Sequence, residues 1–135
     1  MSNKAAAARI SVFGIVVDDL PRSLAFYRKL GLDIPADADS APHVDVELPG
    51  GLRLSWDPAE TIRSYDPAWS APAGDGYRMA IGFEFPDAES VDAAYAEITG
   101  AGYEGYREPW DAFWGQRYAV VKDPDGNAVD FFAAL

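Results

Sequence analysis

Two stretches of this chain begin alike, and their separation narrows the folds open to it. Asp19-Leu20-Pro21-Arg22-Ser23-Leu24-Ala25-Phe26-Tyr27 and Asp87-Ala88-Glu89-Ser90-Val91-Asp92-Ala93-Ala94-Tyr95 lie 68 residues apart, about half of the 135-residue chain. Each follows an apolar run and opens on an aspartate that can accept hydrogen bonds from the free N–H groups of a first helical turn. Apolar residues then recur at helical spacing, as Leu20, Leu24 and Tyr27 do in the first copy. Identity between the copies is weak, so the repeat rests on the order of elements and points to a duplicated supersecondary unit. At this length the two copies share one domain rather than forming two independent ones.

The first copy spans residues 10–56. A strand is expected over Ile10–Val17, ended by Asp18-Asp19, then a helix with Pro21 in its first turn and Gly31 at its stop. A weak strand near Leu32–Ile34, a clear one over His43–Leu48, a Pro49-Gly50-Gly51 turn and a strand over Leu52–Trp56 complete a βαβββ order. Residues 57–76, with Pro58, Pro67, Pro72, Gly74 and Gly76, read as a linker holding at most a short helical turn. The second copy, residues 77–135, repeats the order: a strand over Tyr77–Phe85, a helix capped by Asp87 and running to about Thr99, and strands over Tyr103–Arg107, Arg117–Lys122 and Ala128–Phe132. The expectation is an eight-stranded α+β protein, with residues 1–9 as a flexible N-terminal tail.

Eleven basic residues against 22 acidic ones give a formal charge of −11. A phosphate backbone would be repelled by that field, which excludes nucleic acid as the expected partner and favours cations. The chain has no cysteine, which removes thiolate nucleophiles, thiolate metal ligands and disulfides. No apolar run is long enough to span a bilayer, so no membrane association is expected. Lys4 and Arg9 precede an apolar stretch, but Asp18 and Asp19 stand where a signal peptide would have small residues, so a strand and a cytoplasmic protein are expected.

Asp18-Asp19-Leu20-Pro21-Arg22-Ser23-Leu24-Ala25-Phe26-Tyr27 with Leu30-Gly31, the Trp114-Gly115 pair, and Asp123-Pro124-Asp125-Gly126-Asn127 together resemble the vicinal oxygen chelate superfamily, the group of glyoxalases, bleomycin-resistance proteins and extradiol dioxygenases. The resemblance covers nearly the whole chain from Ile10. It implies tandem βαβββ modules whose mixed sheets curl into a half-open cup, assembled as a homodimer with ligand sites in the cups. Metalloenzymes of this group hold a divalent ion with His and Glu on strands one, four, five and eight. The matching positions here are Val12, Arg53 or Leu54, Ala80 and Asp130. One carboxylate does not hold a catalytic metal, which needs about three protein ligands, so neither a metal nor another cofactor is expected.

Strand alternation sorts the remaining candidates. Met79, Ile81, Phe83 and Phe85 read as packed, leaving Arg78, Ala80, Gly82 and Glu84 to the cup; Phe13, Ile15 and Val17 pack opposite Val12, Gly14 and Val16. Arg53, Asp130 and Phe132 fall on the cup side by the same count, while Trp56 falls in phase with the core. His43, the single histidine, shares a strand face with Asp45 and Glu47, but residues two apart along a strand stand roughly 7 Å apart, too far to share an ion. No partner for catalysis by His43 is visible, and it reads as solvated. Trp110, Phe113 and Trp114 crowd one strand start, where the resemblance implies a binding groove. Asp123 to Asn127 lacks the spacing of a calcium loop and reads as a hairpin turn.

The leading expectation is a metal-independent small-molecule binding protein of the drug-sequestering kind. Its expected site is Trp110, Phe113, Trp114, Glu84, Asp130, Arg53, Gly82 and Phe132, and its expected ligand is planar, aromatic and cationic. The alternative is an enzyme of the same fold, a lyase, isomerase or dioxygenase-like catalyst, with Asp130 or Glu84 as general base once burial raises its pKa.

Overall fold

A computed structural model of the chain describes residues 9–74, 76, 77 and 79–135. The expected tail, apart from Arg9, and the expected cup residue Arg78 lie outside the described residues. The elements run β1 (Val12–Val17), α1 (Leu20–Lys29), β2 (Val44–Glu47), β3 (Arg53–Pro58), α2 (Ala59–Arg63), β4 (Ala80–Glu84), α3 (Ala88–Gly100), β5 (Gly105–Ala112), β6 (Gln116–Lys122) and β7 (Ala128–Ala134). Both helices of the repeat start as their sequences dictate: Asp19 accepts from the Arg22 N–H at 3.1 Å and Asp87 from the Ser90 N–H at 2.8 Å. None of the helices among the described residues is long and apolar enough to cross a membrane.

The duplication reappears in the sheets. One has the order β1-β3-β2 and the other β4-β7-β6-β5. In each, the strand before the long helix pairs in parallel with the last strand of its module, Val12 opposite Arg53 in one and Ala80 opposite Ala128 in the other. The other pairings are antiparallel. The β2–β3 turn needs glycines because Gly50 and Gly51 both sit at positive φ, 88° and 87°.

The expected strand near Leu32–Ile34 is absent, so the described residues form seven strands rather than eight. Arg28 explains why. Its Nε and Nη2 donate to the carbonyls of Ile34 and Pro35 at 3.2 and 2.6 Å, and its Nη1 pairs with Asp39 at 2.9 Å. The guanidinium engages these carbonyls where a neighbouring strand would, and Pro35 supplies no donor. The chain makes a 3-10 turn over Ala36–Ser40 instead. Other boundaries differ too: β1 starts only at Val12, β2 is trimmed to Val44–Glu47, β3 runs through Asp57 to Pro58, β4 starts only at Ala80 and leaves Met79, expected to pack, exposed, β5 extends to Ala112 past two register shifts, and β7 runs on to Ala134.

One core serves both modules. Leu24, Phe26 and Tyr27 of α1, Trp56 of β3, Val91 and Ile98 of α3, and Val121, Val129 and Phe131 of the second sheet are all buried within it. Phe26 meets Tyr103 edge to face at 5.0 Å, so α1 packs against the second module as well as its own. Each such side chain contributes about 1.5–3 kcal/mol on burial. Trp56 is fully buried, as its phase requires.

Candidate functional site

The second sheet has two unlike faces. Ala119, Val121, Val129 and Phe131 go into the core, and Ile81 and Phe83 pack against it. The alternate residues, Tyr118, Val120 and Lys122 on β6, Asp130 and Phe132 on β7, and Gly82 and Glu84 on β4, therefore share the opposite face. Aromatic rings cover much of it. Tyr118 stacks on Phe132 with centroids 6.1 Å apart and planes 21° apart, and meets Trp110 at 5.4 Å and Trp114 at 5.3 Å, both edge to face. Gly82 makes room for this surface: a Cβ there would stand 3.2 Å from Phe132 Cε1.

The Tyr118 hydroxyl donates to Asp130 Oδ2, while Asp130 Oδ1 is buried without a partner among the described residues. Burial first, then the Asp130 hydrogen bond and charge, push the Tyr118 phenol well above its usual range. The pair thus holds a neutral phenol on a carboxylate at the centre of the aromatic surface. Two cations border it. Arg107 lies over the Trp110 ring, with Cζ 3.9 Å from the centroid, and Lys122 lies over Tyr106.

The sequence-predicted residues divide into three groups. Trp110, Trp114, Gly82, Glu84, Asp130 and Phe132 come together on this sheet. Phe113 is at the β5–β6 hairpin tip, 96% exposed, with its ring 5.0 Å from that of Trp114. Arg53 is on the other sheet, where its Nη1 pairs with Asp45 at 3.2 Å. Tyr118 and Lys122 were missed, although the alternation along residues 116–122 places both in phase with one face.

His43 is exposed, as expected of a solvated strand face, but it has carboxylate partners. Its Nδ1 meets Asp57 at 2.5 Å and its Nε2 meets Asp45 at 2.9 Å, so both ring nitrogens are engaged. The Asp57 hydrogen bond raises the imidazole pKa above its usual value, burial opposes this, and Asp45 adds to it. Asp57 escaped notice because it reads as the start of a linker, whereas pairing with Val16 puts it on β3.

The residues present do not fit a divalent ion. Val12 and Ala80 have no lone pair to donate, Arg53 would repel the ion, and Asp130 already accepts from Tyr118. Among the described residues no three His, Cys, Asp or Glu side chains are grouped to hold a metal.

Comparison with known proteins places this geometry in a family. The sequence model of the Glyoxalase/Bleomycin resistance protein/Dioxygenase superfamily matches residues 9–131. A glyoxalase/bleomycin resistance protein/dioxygenase from Nocardioides is 28% identical, with 98% of this chain and 87% of that one covered and a TM-score of 0.74. A protein of unknown function from Agrobacterium tumefaciens is 27% identical, with coverages of 97% and 98% and a TM-score of 0.71. A family enzyme from Burkholderia phytofirmans, 19% identical over 95% and 100% of the two chains with a TM-score of 0.76, shares the fold. None of the curated proteins matches. With nearly its whole length matched, the chain belongs to the Glyoxalase/Bleomycin resistance protein/Dioxygenase superfamily.

Proposed function

We propose that the aromatic face of the second sheet binds a small planar organic molecule and sequesters it without a metal ion, in the manner of a drug-binding member of this superfamily. The observation that carries the reading is the run of Trp114, Trp110, Tyr118 and Phe132, ring against ring on one sheet face with Gly82 opening space beside it. Large rings left partly open to water on a sheet face gain by stacking on a ligand, about 0.5–1.5 kcal/mol per ring beyond area burial.

The functional unit in this reading is a homodimer. β1 and β4 are sheet edges, and Val12, Phe13 and Met79 on and beside them are exposed. A second copy would cover those edges and close the cup over the aromatic face.

A second reading is metal-free catalysis, favoured by one observation: Asp130 Oδ1, without a partner among the described residues, stands beside the Tyr118 hydroxyl as an acceptor able to take a proton from a bound molecule. The experiment is a screen of planar aromatic compounds by tryptophan fluorescence, with each hit incubated and analysed for product in chelator. Binding without product, weakened about tenfold or more by Trp110→Ala or Trp114→Ala, supports sequestration. Product formation that Asp130→Asn abolishes replaces it with the catalytic reading. Hits that bind both tryptophan variants unchanged refute this location for the site.

A further inference from the structure

We propose that the molecule held on the aromatic face carries an acidic group, a carboxylate, seated on the Lys122 ammonium. The inference rests on the reading of that face as a binding site and adds the charge of what binds there. Lys122 follows Tyr118 and Val120 in phase along β6 and is only 7% exposed. Its Nζ lies 4.7 Å from the Tyr106 ring centroid and 5.7 Å from that of Tyr77, and those two rings meet edge to face at 5.6 Å. The ammonium thus stands in an aromatic corner at one end of the face.

What sets it apart is burial without a counter-charge among the described residues: Arg22, Arg63 and Arg107 form no ion pair there either, but each is exposed. Arg28 pairs with Asp39, Lys29 with Glu97, Arg53 with Asp45, and Arg117 with Asp92 and Asp111. Among the described residues Lys122 forms no such pair, in a chain whose 22 acidic residues are twice its 11 basic ones. The stem of Lys122 is buried, and the two phenol rings that flank its ammonium supply no full negative charge. A ligand carboxylate would supply that charge beside the rings.

Asp130 Oδ1, buried with no donor among the described residues, supplies a second requirement. Asp130 is opposite Val120 and Lys122 opposite Ala128, so the two are diagonal neighbours across β6 and β7, about 7–8 Å apart by sheet geometry. A cation with no anion and an acceptor with no donor among the described residues describe two edges of one molecule: a planar ring system with a carboxylate and an N–H or O–H donor, lying against Tyr118 and Phe132. The net charge of −11 slows the approach of such an anion, but salt screens that long-range field more than a partly buried contact at Lys122.

The test is calorimetric titration of the full chain with three matched probes, indole-3-carboxylate, indole-3-carboxamide and indole-3-methylamine. The expected order is carboxylate tightest, by about tenfold over the amide, and amine weakest. Lys122→Met should reduce the carboxylate to the level of the amide and leave the amide unchanged, and Lys122→Arg should retain the preference. Equal binding of the three probes, all weakened by Trp110→Ala, overturns the acidic-group inference and leaves the binding face standing. Binding of none of them, or binding indifferent to Trp110→Ala, overturns the inference together with the reading beneath it. The comparison of probes on the unmodified chain decides the matter even if Lys122→Met fails to fold.

Discussion

The Tyr27 hydroxyl donates to Asp123 Oδ2 at 2.7 Å, a buried bond that ties α1 of the first module to the β6–β7 turn of the second. Asp123 Oδ1 meanwhile accepts from the backbone N–H groups of Asp125 and Asn127, at 2.9 and 2.8 Å, and Oδ2 also accepts from the Asn127 side chain at 2.8 Å. The Asp-Pro-Asp-Gly-Asn segment is therefore both a hairpin turn and a clasp between modules, with the Asp18 N–H donating to Asp125 at 2.8 Å beside it. Two of the segments that carry the family resemblance meet here, in the joint of the fold rather than on the aromatic face of the second sheet.

Tyr27→Phe should lower stability to urea by about 1–3 kcal/mol, because it leaves a buried carboxylate short of a donor. Loss of less than a few tenths of a kcal/mol would mean that the bond does not hold the modules together.

Alkali should act through the same residue. Burial, then the charge and hydrogen bond of Asp123, raise the Tyr27 phenol above its ordinary value near 10. The folded chain keeps a proton that the unfolded chain releases, so this contribution is complete below about pH 10 and is lost as pH rises beyond it. Urea midpoints measured across that range should fall with pH, and fall less steeply in Tyr27→Phe.

His43 is the only histidine, so its imidazole can be followed as a single side-chain signal. Its folded-state pKa is raised, chiefly by Asp57, so proton NMR should place the titration above the ordinary value near 6.5. The stability it contributes is complete below that value and is lost as pH climbs through the folded-state pKa. Asp57→Asn should bring the titration back down. A midpoint unchanged by Asp57→Asn would show that the contact does not govern the imidazole.

Two glycines should respond differently to alanine. At Gly105 a Cβ would stand 2.2 Å from Tyr95 Oη and 3.0 Å from Thr99 Cγ2, so Gly105→Ala should force Tyr95 aside and cost about 1–3 kcal/mol. At Gly82 the clash is milder, 3.2 Å from Phe132 Cε1, and a ring can turn. Gly82→Ala should leave the urea midpoint nearly unchanged while weakening binding of planar compounds. The reverse order of effects would show that Gly82 serves the core instead of the binding face.

The proposed dimer predicts that Phe13→Lys, which puts a charge on the exposed β1 edge, gives a monomer by sedimentation at micromolar concentration where the unaltered chain gives twice that mass. Equal masses for the two chains would place the interface elsewhere or remove it.

Local chemistry made much of the fold readable before any tertiary contact was known. An aspartate able to cap, an apolar run at the right period and a glycine at the stop placed α1 and α3, and alternation placed Ile81 and Phe83 against the core and Gly82 and Asp130 away from it. Such signals survive in the linear chain because each depends on neighbours within a turn or two of helix or along one strand. The missing strand near Leu32–Ile34 depended on where the Arg28 guanidinium could reach, and the His43 contacts on which residue of β3 stands near β2. The same holds for Tyr118 on Asp130 and for Lys122 among its tyrosines. Those pairings follow from sheet register and from the bulges of β5, which are set by the packing of all strands and helices together, so only the folded chain decides which polar groups face the ring surface and what charge they offer it.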